Sequence, residues 1–345
     1  MTIRTYCLLK EYGLNRLFLG IDTSMYTTSV AVVDEHERIV YERRKLLEVD
    51  QGKLGLQQSV AVFDHLRVLP NLLEGIRGWP LAGVGVSTKP RNVEGSYMPV
   101  FKAGEGYART IASTLDIPLF SFSHQENHLA ATLLSPFAIE NGLTEEVIAL
   151  GETLFVHLSG GTTELLLPKR NNQGSPYYAF EQVGGTGDIS AGQLIDRIGV
   201  LLGMPFPCGP ALEKRSMEAD GSRVVIGPNP LRTSTKNGNI FFSGTETTLR
   251  KLIDSEEADP AVLCRHLEEH IALALRESIG QIMRSHPIKT IIIAGGVAAN
   301  NRIRSRLIGS LSEVTLFFPE ERFSGDHSVG VALLAKKSCC QSKEV

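Results

Sequence analysis

The chain has 345 residues, 42% of them hydrophobic and 21% charged, with a formal net charge of −3. That is long enough for two ordinary domains, and the balance argues against a basic stand-alone nucleic-acid binder. No apolar stretch reaches membrane-span length, and five cysteines without a C-x-x-C pair or framework spacing fit free thiols in a reducing cytoplasm rather than a disulfide scaffold.

Residues 1–15 are mixed in character and read as an N-terminal extension rather than a signal peptide. Arg16 to Leu19 reads as a strand. It breaks at Gly20-Ile21-Asp22-Thr23-Ser24 and resumes as Thr28 to Val33. Val84 to Ser87 and Ile117 to Phe120 read as buried strands, and Ala108 to Leu115 has helical periodicity. Ser123 and Glu126 form an S-x-x-E capping box, which predicts a helix starting there and assigns Glu126 to the cap rather than to chemistry. His124 and His128 then share one face of that helix, where both imidazoles could reach one ion. The pair alone reads equally as two solvated histidines at a helix start.

About 140 residues after the first loop the pattern of strand, Gly/hydroxyl turn and strand returns, in Leu154 to Leu158, Ser159-Gly160-Gly161-Thr162-Thr163 and Glu164 to Leu167. A repeat at a domain-sized interval suggests two related halves. Ile189 to Leu202 and Ala261 to Arg284 read as helices. Ile291 to Ala294 reads as a buried strand leading through Gly295-Gly296 into a helix, and Ser328 to Lys337 as an apolar helix packing back on the first half. Strands alternating with helices imply α/β layers with mainly parallel pairing. The expected division is 1–15 as extension, 16–148 with 327–345 as a first lobe, and 149–326 as a second.

The glycine loops at 20–24, 159–163 and 294–300 can offer backbone N–H groups to anions, and a helix N-terminus adds partial positive charge. Each is weak alone. Together they suggest a nucleotide cleft between two lobes, without a Walker motif.

In chain order, Gly20-Ile21-Asp22-Thr23-Ser24, His124-x-x-x-His128, Leu158-Ser159-Gly160-Gly161-Thr162-Thr163, Ser190-Ala191-Gly192-x-x-x-Asp196, Pro207-x-Gly209-Pro210, Ser243-Gly244, Ala294-Gly295-Gly296-Val297-x-x-Asn300 and Asp326 resemble the TsaD family, the tRNA threonylcarbamoyladenosine transferases, from about Leu17 to Ala335. The resemblance implies an actin-like, two-lobed α/β fold with duplicated domains. It implies transfer of a threonylcarbamoyl group from its adenylate to N6 of an adenosine beside the tRNA anticodon. It further implies one divalent metal ion, iron or zinc, held by His124, His128 and Asp326. Ser159, Gly160 and Gly161 would hold the AMP part, with Asp196, Gly209 and Glu213 on the ribose side and Asn300 near the base. No catalytic residue is assigned. Expected partners are tRNA, a related actin-like subunit and a small ATPase of the modification machinery, with homo- or heterodimers open and no membrane contact. Rival roles remain for single residues: Asp326 could cap the last helix, and His327 is expected to be solvated.

The chain departs from the family at four places. The family's S-G-G-H-T has Thr162, so an imidazole is missing. A G-P-G loop is replaced by Thr88 to Pro99, whose Lys89 and Arg91 could bind an anion directly or lie on a surface loop. The H-x-x-x-G-G and S-R-x-H motifs between Gly52 and His65 keep only His65. The family's S-G-L-K-T has Glu246 for lysine. Two alternatives therefore stand beside the main reading: a paralogue moving a carbamoyl-type group to another acceptor, and a nucleotide-binding partner subunit. H-Q-E-N-H is not H-E-x-x-H, so a zinc-peptidase reading is discounted.

Overall fold

A computed structural model describes residues 16–171, 176–221, 229–255 and 258–341; the expected N-terminal extension lies outside them. The first sheet contains β1 (Leu17–Asp22), β2 (Thr27–Asp34), β3 (Ile39–Leu46), β4 (Leu81–Lys89) and β5 (Leu119–Ser123), in the order β3-β2-β1-β4-β5. Helices α1 (Gln58–Glu74) and α2 (Phe101–Leu115) are interleaved with these strands. Then come α3 (His124–Thr132), α4 (Pro136–Glu140) and α5 (Glu145–Ala149).

The second sheet has β6 (Thr153–Leu158), β7 (Thr163–Arg170), β8 (Tyr178–Thr186), β9 (Thr235–Lys236), β10 (Asn239–Ile240), β11 (Thr290–Ala294) and β12 (Thr315–Phe317). Its order is β12-β11-β6-β7-β8-β10-β9. Helices α6 (Ala191–Leu201), α7 (Gly209–Gly221), α8 (Ser243–Asp254), α9 (Pro260–Met283), α10 (Asn301–Ser310) and α11 (Val329–Gln341) complete the described elements, with short 3-10 turns at Gly296–Ala299 and Glu321–Phe323. The run β8-β7-β6-β11-β12 repeats the connectivity of β3-β2-β1-β4-β5, so the duplicated α/β architecture read from the two glycine loops is the observed one.

Pairing is mixed rather than mainly parallel. β1–β2, β2–β3, β6–β7 and β7–β8 are antiparallel, whereas β1–β4, β4–β5, β6–β11 and β11–β12 are parallel. The cause is local. A strand that turns back within a short loop must pair antiparallel, because a parallel return needs a crossover of a dozen or more residues.

Strand β1 is buried along its whole length, since it is sandwiched between helices. Leu17, Leu19 and Ile21 point into one cluster with Val30, Val32, Val84, Val86, Ala108 and Ala112. Phe18 points to the other face, toward Ala332 and Ala335 of α11. That is the two-residue alternation of a strand covered on both sides. Gly20 and Gly85 are register partners in β1 and β4. A Cβ on Gly20 would overlap the carbonyl of Ser328, and one on Gly85 that of Val331. The paired glycines thus flatten the sheet where α11 lies on it, and α11 packs on the first sheet as its apolar sequence predicts.

Candidate metal centre and nucleotide loops

Helix α3 begins where the sequence predicts. Ser123 Oγ accepts from the Glu126 N–H, while Glu126 reaches back to the Ser123 N–H at 2.7 Å. Glu126 is fully buried and also accepts from the N–H groups of Tyr177 (2.8 Å) and Tyr178 (3.0 Å) and from Asn92 Nδ2 (2.7 Å). It is a structural hub that ties α3 to β8 and to the loop after β4. The cap sets α3 directly at the C-terminal end of β5, and all nine of its residues are buried.

His124 and His128 meet at the head of this helix, with their Nε2 atoms 3.1 Å apart. Asp326, from the segment before α11, brings Oδ1 to 3.3 Å from His124 Nε2 and 3.6 Å from His128 Nε2. The structure thus brings together the three groups proposed as metal ligands. A tetrahedron with edges of about 3.4 Å has its vertices about 2.1 Å from the centre, the usual metal–imidazole bond length. Two imidazoles and a carboxylate are also a donor set suited to iron or zinc.

Asp22 orients His124. Its Oδ2 lies 3.1 Å from His124 Nδ1, so that this nitrogen's N–H points at the carboxylate and Nε2 is the nitrogen turned toward Asp326, where an ion would displace its proton. Asp22 is fully buried and also accepts from Ser24, Ser87 and Asn127. Burial pushes its carboxyl up, but His124 and these hydrogen bonds outweigh burial and hold it below the ordinary range. For His124 burial disfavours the charged ring, yet Asp22 and Asp326 together raise its pKa to about 10. Burial, then the charge of His124, lowers His128. Sequence reasoning misses Asp22 as a contributor. The signal was an acid at the C-terminal end of a buried strand, inside the first glycine loop.

His157, also missed, enters from β6. It is 3% exposed, and its ligand nitrogen lies within 4.8 Å of those of His124 and His128, a three-histidine cluster that could hold an ion. Its Nδ1 is 3.1 Å from Thr162 Oγ1, so position 162, where the family carries an imidazole, here hydrogen-bonds to one from the strand. His327 is a correction. It is fully buried rather than solvated, its ring lying 5.3 Å edge-on from His128 and 5.7 Å from Phe323. Burial holds its pKa well below the ordinary value.

The second glycine loop starts two residues after His157. Ser159 Oγ and Thr162 Oγ1 are 2.8 Å apart, and Ser190, the N-cap of α6, donates to the Gly160 carbonyl at 2.8 Å. Gly192 lets α6 abut this loop, since a Cβ there would overlap Gly160 Cα. The positions above Gly160 and Gly161 are open. Asp196, on α6, accepts from the Cys208 N–H at 2.8 Å, and burial raises its pKa to about 6. Gly209 begins α7 with open space at its Cα. Glu213 accepts from the Asn301 N–H at 2.7 Å and lines a cavity of about 400 Å³ between α7 and α10 with Met217, Arg302 and Ser305. Asn300 caps α10 through the Ile303 N–H and donates to Glu268 at 2.6 Å. The Glu213 and Asn300 positions therefore meet at the α7–α10 junction, while Ser159 to Gly161 lie at the head of α6.

The family departures are built into the packing. Arg91 is paired with Glu164 of β7 at 2.7 Å, whose other oxygen accepts from Gln125, so Arg91 is neither a free anion donor nor a plain surface residue. Glu246 is held by Arg197 (2.9 Å) and Arg250 (2.8 Å), which neutralise the charge reversal. His65 is fully buried. Its Nε2 donates to the Met25 carbonyl at 3.1 Å, which leaves Nδ1 to accept from Thr28 at 2.8 Å. Among the described residues no helix is long and apolar enough to cross a membrane.

The family model for TsaD, tRNA N6-adenosine threonylcarbamoyltransferase, matches residues 81–333. The chain is 26% identical over 328 residues to the tRNA N6-adenosine threonylcarbamoyltransferase of Carboxydothermus hydrogenoformans, covering 92% of this chain and 91% of that one. In fold it is similar to the (R)-2-hydroxyglutaryl-CoA dehydratase component A of Acidaminococcus fermentans, with a TM-score of 0.53 at 14% identity over 94% of this chain and 99% of that one. It is similar also to HypF of T. kodakarensis, with a TM-score of 0.55 at 16% identity over 96% of this chain and 48% of that one. The architecture is the actin-like one, and the chain belongs to the TsaD family of tRNA N6-adenosine threonylcarbamoyltransferases, transferase enzymes that modify tRNA.

Proposed function

We propose that this chain transfers a threonylcarbamoyl group from threonylcarbamoyl-AMP to N6 of the adenosine next to the tRNA anticodon, with the aid of one divalent metal ion. The observation that carries this reading is the convergence of His124, His128 and Asp326, with edges of 3.1 to 3.6 Å, inside the region matched by the family model. In the transfer N6 attacks the carbamoyl carbon, the bond from that carbon to the phosphate oxygen breaks, AMP departs with the oxygen, and N6 gives up a proton. A divalent ion, iron or zinc, held by His124, His128 and Asp326 would supply a Lewis acid for the transferred carbonyl.

The chain's own groups do the rest. Asp22 keeps the proton on His124 Nδ1. The open Ser159-Gly160-Gly161 loop, next to the N-terminus of α6, offers backbone donors for the AMP phosphate. Asp196, Gly209, Glu213 and Asn300 are assigned to the nucleoside side. We place the lobe boundaries at 16–148 with 327–345 and at 149–326, with the nucleotide in the cleft between them. A related actin-like subunit and a small ATPase are the proposed partners, the low net charge leaving much of the tRNA contact to them. The proposed compartment is the cytoplasm.

A second reading, transfer of a carbamoyl-type group to another acceptor, is favoured by Thr162 and by the pairing of Arg91 with Glu164. Deletion of the gene in a host without another family member, followed by nucleoside analysis of its tRNA, separates the two. Loss of threonylcarbamoyladenosine, restored by the wild-type gene and not by His124→Ala, is expected. Unchanged levels overturn the first reading.

A further inference from the structure

We propose that His157 is a fourth protein ligand, so that this chain binds its ion with three imidazoles and one carboxylate. The inference rests on the metal reading above and extends it.

Three observations converge on the ring. First, His157 lies against the two α3 histidines, with ring centroids 5.0 Å from His128 and 5.9 Å from His124, and its ligand nitrogen belongs to their cluster. Second, its Nε2 is buried and has no hydrogen-bond partner among the described residues. A buried nitrogen left unpaired is unfavourable unless another group takes its lone pair. Third, the ring is held for that task. Phe155 stacks on it at 6.0 Å with planes 15° apart, and Thr162 Oγ1 sits 3.1 Å from Nδ1. With Nδ1 engaged by Thr162, Nε2 is the nitrogen free to ligate. This is the usual division of labour in a metal-bound imidazole, in which the outer nitrogen's partner sets the tautomer.

The arrangement also accounts for threonine at 162. A hydroxyl there orients the strand imidazole and is itself steadied by Ser159 Oγ at 2.8 Å. Four protein donors would fill a four-coordinate shell, so an ion that keeps an open position beside them needs five or six coordination sites, which Fe2+ offers more readily than Zn2+.

The test is X-ray absorption on the full-length protein loaded with Fe2+ or Zn2+, together with competition against a chelator. Three imidazoles are expected in the wild type and two in His157→Gln, with affinity at least about tenfold weaker in the variant. Circular dichroism of the metal-free forms should be the same. A wild-type ion with two imidazoles, or an affinity unchanged in His157→Gln, overturns the inference and leaves the three-ligand site standing. A wild-type protein that binds no metal overturns both. The wild-type imidazole count decides the question even where the variant does not fold.

Discussion

Asp22 and His124 are 102 residues apart in the chain and meet with Oδ2 3.1 Å from Nδ1. The contact decides which nitrogen of His124 faces the candidate metal centre. Asp22→Asn keeps the shape but lets the amide act as donor or acceptor, so the tautomer is no longer fixed. Metal affinity is expected to fall about 10- to 100-fold, the usual effect of losing such an outer partner. Competition with a colorimetric chelator measures it, and an unchanged affinity would remove the orienting role.

Removing the ion should cost stability only where the ion binds. At a free metal concentration of 100 times Kd, binding adds about 2.7 kcal/mol to the folded state. A chelator should therefore lower the thermal midpoint of the wild type by several degrees. In His124→Ala the midpoint should not respond to chelator, and the purified variant should carry almost no metal.

Glu126 lies close to the ligands but acts on the fold. Glu126→Ala removes the capping box and leaves the buried N–H groups of Tyr177 and Tyr178 without their acceptor. A lost cap costs about 1 kcal/mol and each charge-assisted bond about 1.5–3 kcal/mol, so a loss of about 3 kcal/mol or more is expected in urea unfolding. Metal content per folded chain should be unaffected. A loss of metal without a loss of stability would put Glu126 in the chemistry instead.

His270 is expected to make stability depend on pH. Burial lowers its pKa to about 4, and Thr245 Oγ1 sits 2.8 Å from its Nε2. The unfolded ring titrates near 6.5, so between about 6.5 and 4 the unfolded chain binds more protons than the folded one. Stability from this group is present above pH 6.5 and is lost as pH falls toward 4, to a total of about 3 kcal/mol. In His270→Gln the slope of unfolding free energy against pH should flatten in that window. An identical slope would mean that the ring is hydrated.

Much of the architecture was legible because its signals are local. Ser123 and Glu126 sit three residues apart, so their cap can be read from one segment, and the two glycine loops reveal the duplication by being alike. The pairing direction was legible too, but the expectation of mainly parallel sheets gave the helix alternation more weight than the short loops at 23–26 and 159–162. Long-range contacts were not legible. A histidine inside the strand Leu154 to Leu158 looks like any core histidine until β6 is placed beside α3. His327 looks solvated until Asn127, 200 residues earlier, takes its carbonyl and α3 closes over it. Arg91 reads as an unmatched charge because Glu164 lies far off in sequence, and so does the Arg197 partner of Glu246, although Arg250 stands one helical turn from Glu246 on α8.

The repeated strand order gives the centre a pseudo-twofold character. Asp22 ends β1 and His157 lies near the end of β6, the equivalent strand; His124 and His128 follow β5, and Asp326 follows β12, again an equivalent pair. Each half thus sends one group from its first strand, and from behind its last strand the first half sends two histidines and the second one carboxylate. In the proposed two-lobed arrangement, a rotation of one half against the other would pull the two sets apart, so an ion held by both would act as the pin that sets the angle of the proposed cleft.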